Sequence, residues 1–150
     1  MKLLQQMCEV HAPSGEEFAM TKFLLNYISK NQQDWKAQPT LHYGKGFQDN
    51  IIMVFGTPTT AIFSHLDSIG FTVKYNNEIV KIGGPLTTEG IELVGEDSKG
   101  KIEGKIIKKE EELFIDFDRK IDRGTSLTFK VNFRDTKNFV QSCYMDNRLG

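Results

Sequence analysis

Phe71-Thr72-Val73-Lys74-Tyr75-Asn76-Asn77-Glu78-Ile79-Val80-Lys81-Ile82 is the stretch that changes the grammar of this chain. Phe71, Val73 and Tyr75 alternate with Thr72 and Lys74, the two-residue period of a strand with one buried face. Asn76-Asn77 follows, and asparagine tolerates the left-handed backbone that tight hairpin turns require. Residues 78–82 read as the return strand, stopped by Gly83-Gly84-Pro85. Further short strands are expected at 91–95, 101–107 and 113–117, with Gly, Asp or charged residues between them. Residues 126–133 alternate cleanly, placing Leu127, Phe129, Val131 and Phe133 on one face. The span 71–138 therefore predicts a compact antiparallel β unit, barrel or sandwich, with no helical period inside it.

The sequence upstream has a different character. Leu3, Leu4, Met7 and Cys8 recur at helical spacing over 2–9, and His11-Ala12-Pro13 breaks that pattern. Ser14 with Glu17 three residues later is the signature of a capping box, so a second helix is expected from Ser14 to about Lys30. A strand fits around 40–43. Two apolar runs, 50–55 and 60–63, flank Gly56-Thr57-Pro58-Thr59. Continuous apolar runs predict strands buried on both faces, as in the central sheet of an α/β protein.

The bulk numbers bound the function. Among 150 residues, Lys and Arg total 19 against 20 Asp and Glu, a net charge of −1, so the cationic excess that phosphate binding wants is missing and no nucleic acid partner is expected. No stretch approaches the ~18 apolar residues of a membrane span, and the first ten residues lack the apolar run of a signal peptide. The expectation is a cytoplasmic chain with no membrane partner. The two cysteines, Cys8 and Cys143, read as reduced thiols.

Two short motifs carry possible chemistry. In Ser64-His65-Leu66-Asp67-Ser68 the spacing of two places His65 and Asp67 on one face of an extended chain. An imidazole with a carboxylate behind it is a familiar metal arrangement, and also a common hydrogen-bonded turn. In Tyr144-Met145-Asp146-Asn147-Arg148 the Asp146 carboxylate suits a divalent metal, with Arg148 able to hold a neighbouring carboxylate; a capped helix start is the plainer reading. Other signals fail. Asp116, Asp118 and Asp122 lack the register of a calcium loop, Gly83-Gly84-Pro85 lacks the Lys of a phosphate loop, and Ser64 lacks a nucleophile elbow. His11 and His42 stand alone and read as surface or core histidines.

Taken in order, these pieces resemble the glutamyl and deblocking aminopeptidases, a family of tetrahedral dinuclear-metal enzymes. The resemblance rests on Leu3-Leu4 through Cys8, Ala12-Pro13-Ser14-Gly15-Glu16-Glu17, Asp49-Asn50-Ile51-Ile52, the stretch from Ser64 to Phe71, Gly83-Gly84, and the stretch from Met145 to Gly150. Ser68 departs from it, standing where many relatives carry an acidic residue. The resemblance implies an α/β metallopeptidase domain interrupted by an inserted antiparallel β-barrel-like domain. Residues 1–70 would be the first part of the catalytic domain, 71–138 the insertion, and 139–150 the return. His65 would be a terminal ligand of one metal, Asp67 would orient it as a catalytic residue, and Asp146 would bridge two divalent ions, zinc or cobalt. The substrates would be peptides cut at their amino terminus, and the inserted domain would build homo-oligomers. The family's general base and remaining ligands would lie beyond Gly150, so this chain is expected to be the N-terminal part of the enzyme and inactive alone. The alternative is a non-catalytic β-rich module for assembly or binding. A glycosidase carboxylate pair is a weaker fit, because His65 beside Asp67 suits a metal better.

Overall fold

The computed structural model describes residues 2–136 and the backbone of 140–141. Helix α1 (Lys2–Glu9) and helix α2 (Phe18–Asn31) come first, then an antiparallel ladder of β1 (Thr40–His42) and β2 (Ile52–Val54). Six strands follow: β3 (Gly70–Val73), β4 (Glu78–Ile82), β5 (Glu92–Asp97), β6 (Gly100–Lys109), β7 (Glu112–Asp116) and β8 (Ser126–Phe129). They close a barrel in the order β3-β4-β7-β6-β5-β8, with β8 pairing back onto β3. A two-residue ladder of β9 (Arg134–Asp135) and β10 (Val140–Gln141) ends the described chain.

Alternation builds the barrel. Phe71 and Val73 of β3, Ile79 of β4, Leu93 of β5, Ile102 and Ile106 of β6, Ile115 of β7, and Leu127 and Phe129 of β8 all turn inward and form one core with Ile121. Their outward neighbours are mainly Lys, Glu, Ser and Thr, as a small barrel with a solvated exterior demands. Asn76 and Asn77 both take positive φ, 56° and 62°, in the turn between β3 and β4. The long strand β6 pairs with β5 through Lys105 and with β7 from Lys105 onward. It turns this corner beside Gly104, where a Cβ would lie 2.5 Å from the Asp116 carbonyl oxygen, so only glycine fits.

The expected α/β metallopeptidase domain with a barrel inserted into it is overturned. The described residues form a small β-rich structure around the closed antiparallel barrel, with two short α-helices. No helix-flanked parallel sheet occurs among them, and the one isolated parallel bridge joins Pro13 to Ser68. Of the two apolar runs read as buried central strands, only Ile52–Val54 is a strand, and its partner is β1. Ile62 and Phe63 stand 94% and 90% exposed and belong to no strand. The physical reason is coverage. An apolar run is a doubly buried strand only where layers lie on both sides of it, and α1 and α2 do not cover these residues.

Candidate functional site

The segment from Ser64 to Ser68 leads into β3 and lies against the residues before α2. Ser68 N donates to the Ala12 carbonyl at 2.8 Å, Ser14 N donates to the Ser68 carbonyl at 3.2 Å, and the Ser68 hydroxyl donates to Ala12 O at 3.2 Å. Ala12 is fully buried, so this short parallel contact forms a protected seam rather than a passing touch of two loops.

On this seam the structure brings His65 and Asp67 together. His65 Nδ1 lies 3.1 Å from Asp67 Oδ1 and 3.0 Å from the Asp67 backbone oxygen. Both neighbours are acceptors, so the imidazole proton resides on Nδ1 and donates to them. The neutral ring therefore keeps a lone pair on Nε2, the tautomer needed for a metal ligand or a proton acceptor. Asp67 Oδ2 accepts the Ser14 hydroxyl proton. That bond holds the Asp67 carboxyl below its ordinary range; the nearby His65 adds to the effect and partial burial opposes it.

The pair opens on a cleft of about 260 Å³ lined by Glu17, Gln48, Asp49, Asn50, Ser64, His65, Leu66 and Asp67. The wall is polar and rich in carboxylates. The Glu17 carboxylate is engaged by Gly15 N at 2.8 Å, and the Asp49 carbonyl accepts from the Thr21 hydroxyl, which ties α2 to this wall. As a donor set for a metal this is a beginning. It offers one imidazole nitrogen and the carboxylate that orients it, and the described residues contain no cluster of three or more His, Cys, Asp or Glu placed to hold an ion. Asp146, expected to complete the centre, lies outside the described residues.

Sequence reasoning missed a second polar cluster. His11 is no solitary residue: Nδ1 lies 2.9 Å from Thr128 Oγ1 and Nε2 3.1 Å from Ser126 Oγ, both on β8. Ser126 in turn donates to Glu16 Oε1 at 2.6 Å. These partners are more than a hundred residues away from His11 in the chain, so no local pattern announces them. The cluster fastens the N-terminal segment to the barrel wall. It is fully engaged in its own hydrogen bonds, which makes it a joint rather than a reactive centre.

Among the described residues no helix is long and apolar enough to cross a membrane. No family model matches the chain, and no curated protein matches it.

Proposed function

We propose that this chain is the N-terminal part of a metal-dependent aminopeptidase of the cytoplasm, a reading carried by the His65–Asp67 pair. Its support is the fixed tautomer: two acceptors hold the His65 proton on Nδ1 and leave Nε2 able to ligate. In this reading His65 is a terminal ligand, Asp67 sets the ring's orientation and basicity, and Asp146 supplies a bridging carboxylate. Two divalent ions, zinc or cobalt, when bound supply Lewis acidity and an activated water for peptide hydrolysis. The chain's own residues orient the imidazole and line a carboxylate-rich cleft that suits the free amino terminus of a peptide.

The test uses the protein expressed from its complete gene, assayed on amino-terminal chromogenic peptides with and without a chelator. His65→Ala and Asp146→Ala are each expected to abolish the chelator-sensitive activity. Full activity in either variant would remove the metal assignment.

A second reading is favoured by the self-contained core of the barrel, which needs no residue before Ile69 to close. In it the barrel serves assembly or binding, either as the oligomer-forming part of the peptidase or as a module with no catalysis. Light scattering of the chain with and without residues 71–138 separates the two uses. Loss of a homo-oligomer on deletion supports assembly, and an unchanged oligomer excludes it.

A further inference from the structure

Ser14 is a residue that local rules assign to a helix and the fold assigns to the site. Its spacing from Glu17 predicts a capping box, in which the serine hydroxyl accepts from the first turn of the helix. The structure differs. Helix α2 starts at Phe18 with Glu17 as its cap and no side-chain capping bond. The Glu17 carboxylate reaches back, but to Gly15 N. The one proton of the Ser14 hydroxyl goes to Asp67 Oδ2, 53 residues along the chain.

The placement of that hydroxyl is set by backbone. Ser14 N and Ser68 N are both bonded across the seam, and Ser68 adjoins Asp67 in sequence, so the two side chains start from fixed points. Pro13, buried and locked in φ, precedes Ser14 and narrows its freedom further. Asp67 consequently has both oxygens engaged, Oδ2 by Ser14 and Oδ1 by His65 Nδ1. With Oδ2 released, the Asp67 side chain keeps only its bond to the near neighbour His65, so χ1 can move to another well and the softer terminal torsion can swing. A carboxylate held at both oxygens, one of them from another segment of the chain, keeps a single χ1 well as well as its plane.

We infer that Ser14 is a positioning residue for the His65–Asp67 pair, its hydroxyl fixing the Asp67 carboxylate so that Oδ1 faces the imidazole. The inference rests on the reading of His65 and Asp67 given above. It gives the hydroxyl a task distinct from joining the two segments, because the backbone bonds at Ala12, Ser14 and Ser68 join them without it.

The experiment compares the whole chain, isotope-labelled and free of metal, with its Ser14→Ala and Ser14→Thr variants by NMR. Three-bond couplings from the Asp67 carboxyl carbon to its own backbone nitrogen and carbonyl carbon read the χ1 rotamer. The wild type is expected to show one rotamer, Ser14→Ala a rotamer average, and Ser14→Thr the single rotamer again, with the amide shifts of Ile106 and Leu127 unmoved in all three. A single rotamer in Ser14→Ala overturns the inference. A zinc titration of the protein expressed from its complete gene, with and without Ser14→Ala, is expected to show affinity falling about tenfold in the variant, the size typical of lost support behind a metal-binding histidine. Equal affinities, with Asp67 averaged, would also overturn it. If that wild-type protein takes up no zinc, the metallopeptidase reading fails, and the couplings alone decide whether Ser14 holds Asp67.

Discussion

Arg119 grips Asp97 in a fork, with Nη1 2.6 Å from Oδ2 and Nη2 2.8 Å from Oδ1. Asp97 ends β5 and Arg119 follows β7, so the pair fastens two strand ends at one mouth of the barrel. The same carboxylate accepts from Lys99 N at 2.9 Å and Asp122 N at 3.2 Å, and its side chain has no exposed surface. The Arg119 guanidinium also lies 5.1 Å from the centre of the Phe117 ring. Paired, planar and bonded at both oxygens, this is the strong form of an ion pair.

Asp97→Asn is therefore expected to lower the melting temperature more than Lys99→Ala, which breaks only an outer pair with Asp122 at 3.1 Å. The asparagine keeps the shape but leaves Arg119 without its anion. Hydrogen bonds from Arg119 hold the Asp97 carboxyl far below its ordinary value of 3.8, against the cost of burial. A depressed folded-state pKa gives stability that is present above the unfolded value and is lost as pH falls toward the folded one. Thermal melts from neutral pH into acid should thus show a decline below about pH 4 that is shallower in Asp97→Asn. Equal melting temperatures at neutral pH for the two variants would refute this account.

His11 sets a second pH dependence, in a different window. Ser126 gives its proton to Glu16, so it accepts from His11 Nε2–H, and His11 Nδ1 accepts from the Thr128 hydroxyl. This network wants a neutral ring. Burial lowers the His11 pKa below its ordinary 6.5, and Glu16, 3.7 Å away, opposes the shift. The unfolded chain then binds more protons than the folded one between the two values. Stability is full above pH 6.5, falls as pH drops below it, and levels off under the folded pKa. Melts across this range should show that slope in the wild type and lose it in His11→Gln. A wild type and variant with the same slope would exclude His11 as the source.

Much of the barrel was legible because its signals are local. Two-residue alternation marks β3 and β8, Asn76-Asn77 marks the turn, and the charged or glycine-containing links mark the strand ends. The pairing order was not legible. β8 joins β3 to β5 across the chain, and nothing near Leu127 says so. The apolar runs before residue 64 misled for a related reason, since composition reports the wish to be buried and not the presence of a cover. At the site, the spacing of His65 and Asp67 announced their contact. The diversion of Ser14 from helix to carboxylate could not be read, because a good capping pattern and a bond 53 residues away begin with the same serine.

The core makes a sharper prediction about energy. Phe71 is wholly buried and meets Phe129 edge-on, ring centres 5.4 Å apart at 82°. Phe71→Ala removes that contact and leaves a cavity in the one core of the barrel, which is expected to cost about 3–5 kcal/mol. Val80, 42% exposed, offers the comparison: Val80→Ala should cost at most about 1 kcal/mol, chiefly as lost strand preference. Urea unfolding followed by the tyrosine and tryptophan signals measures both. A Phe71→Ala penalty no greater than that of Val80→Ala would mean that the barrel interior is not the cooperative core.

Closure of the barrel depends on how near two strands can come. Gly95 of β5 stands opposite Leu127 of β8, and a Cβ there would lie 2.6 Å from Leu127 Cδ2 and 2.6 Å from the Ser126 carbonyl oxygen. The leucine can rotate, but the carbonyl belongs to the strand that closes the ring, so relief requires the strands to part. Gly95→Ala is expected to cost about 1–3 kcal/mol, the range for crowding a packed interior. It should also speed hydrogen exchange at the β5–β8 amides more than at the β3–β4 amides. Gly84→Ala serves as the control: its Cβ would meet nothing within 4 Å, so only a small change is expected. If Gly95→Ala were as benign as Gly84→Ala, the close approach of β5 and β8 would not be what the glycine is for, and closure would have to draw its stability from the inward-facing side chains alone.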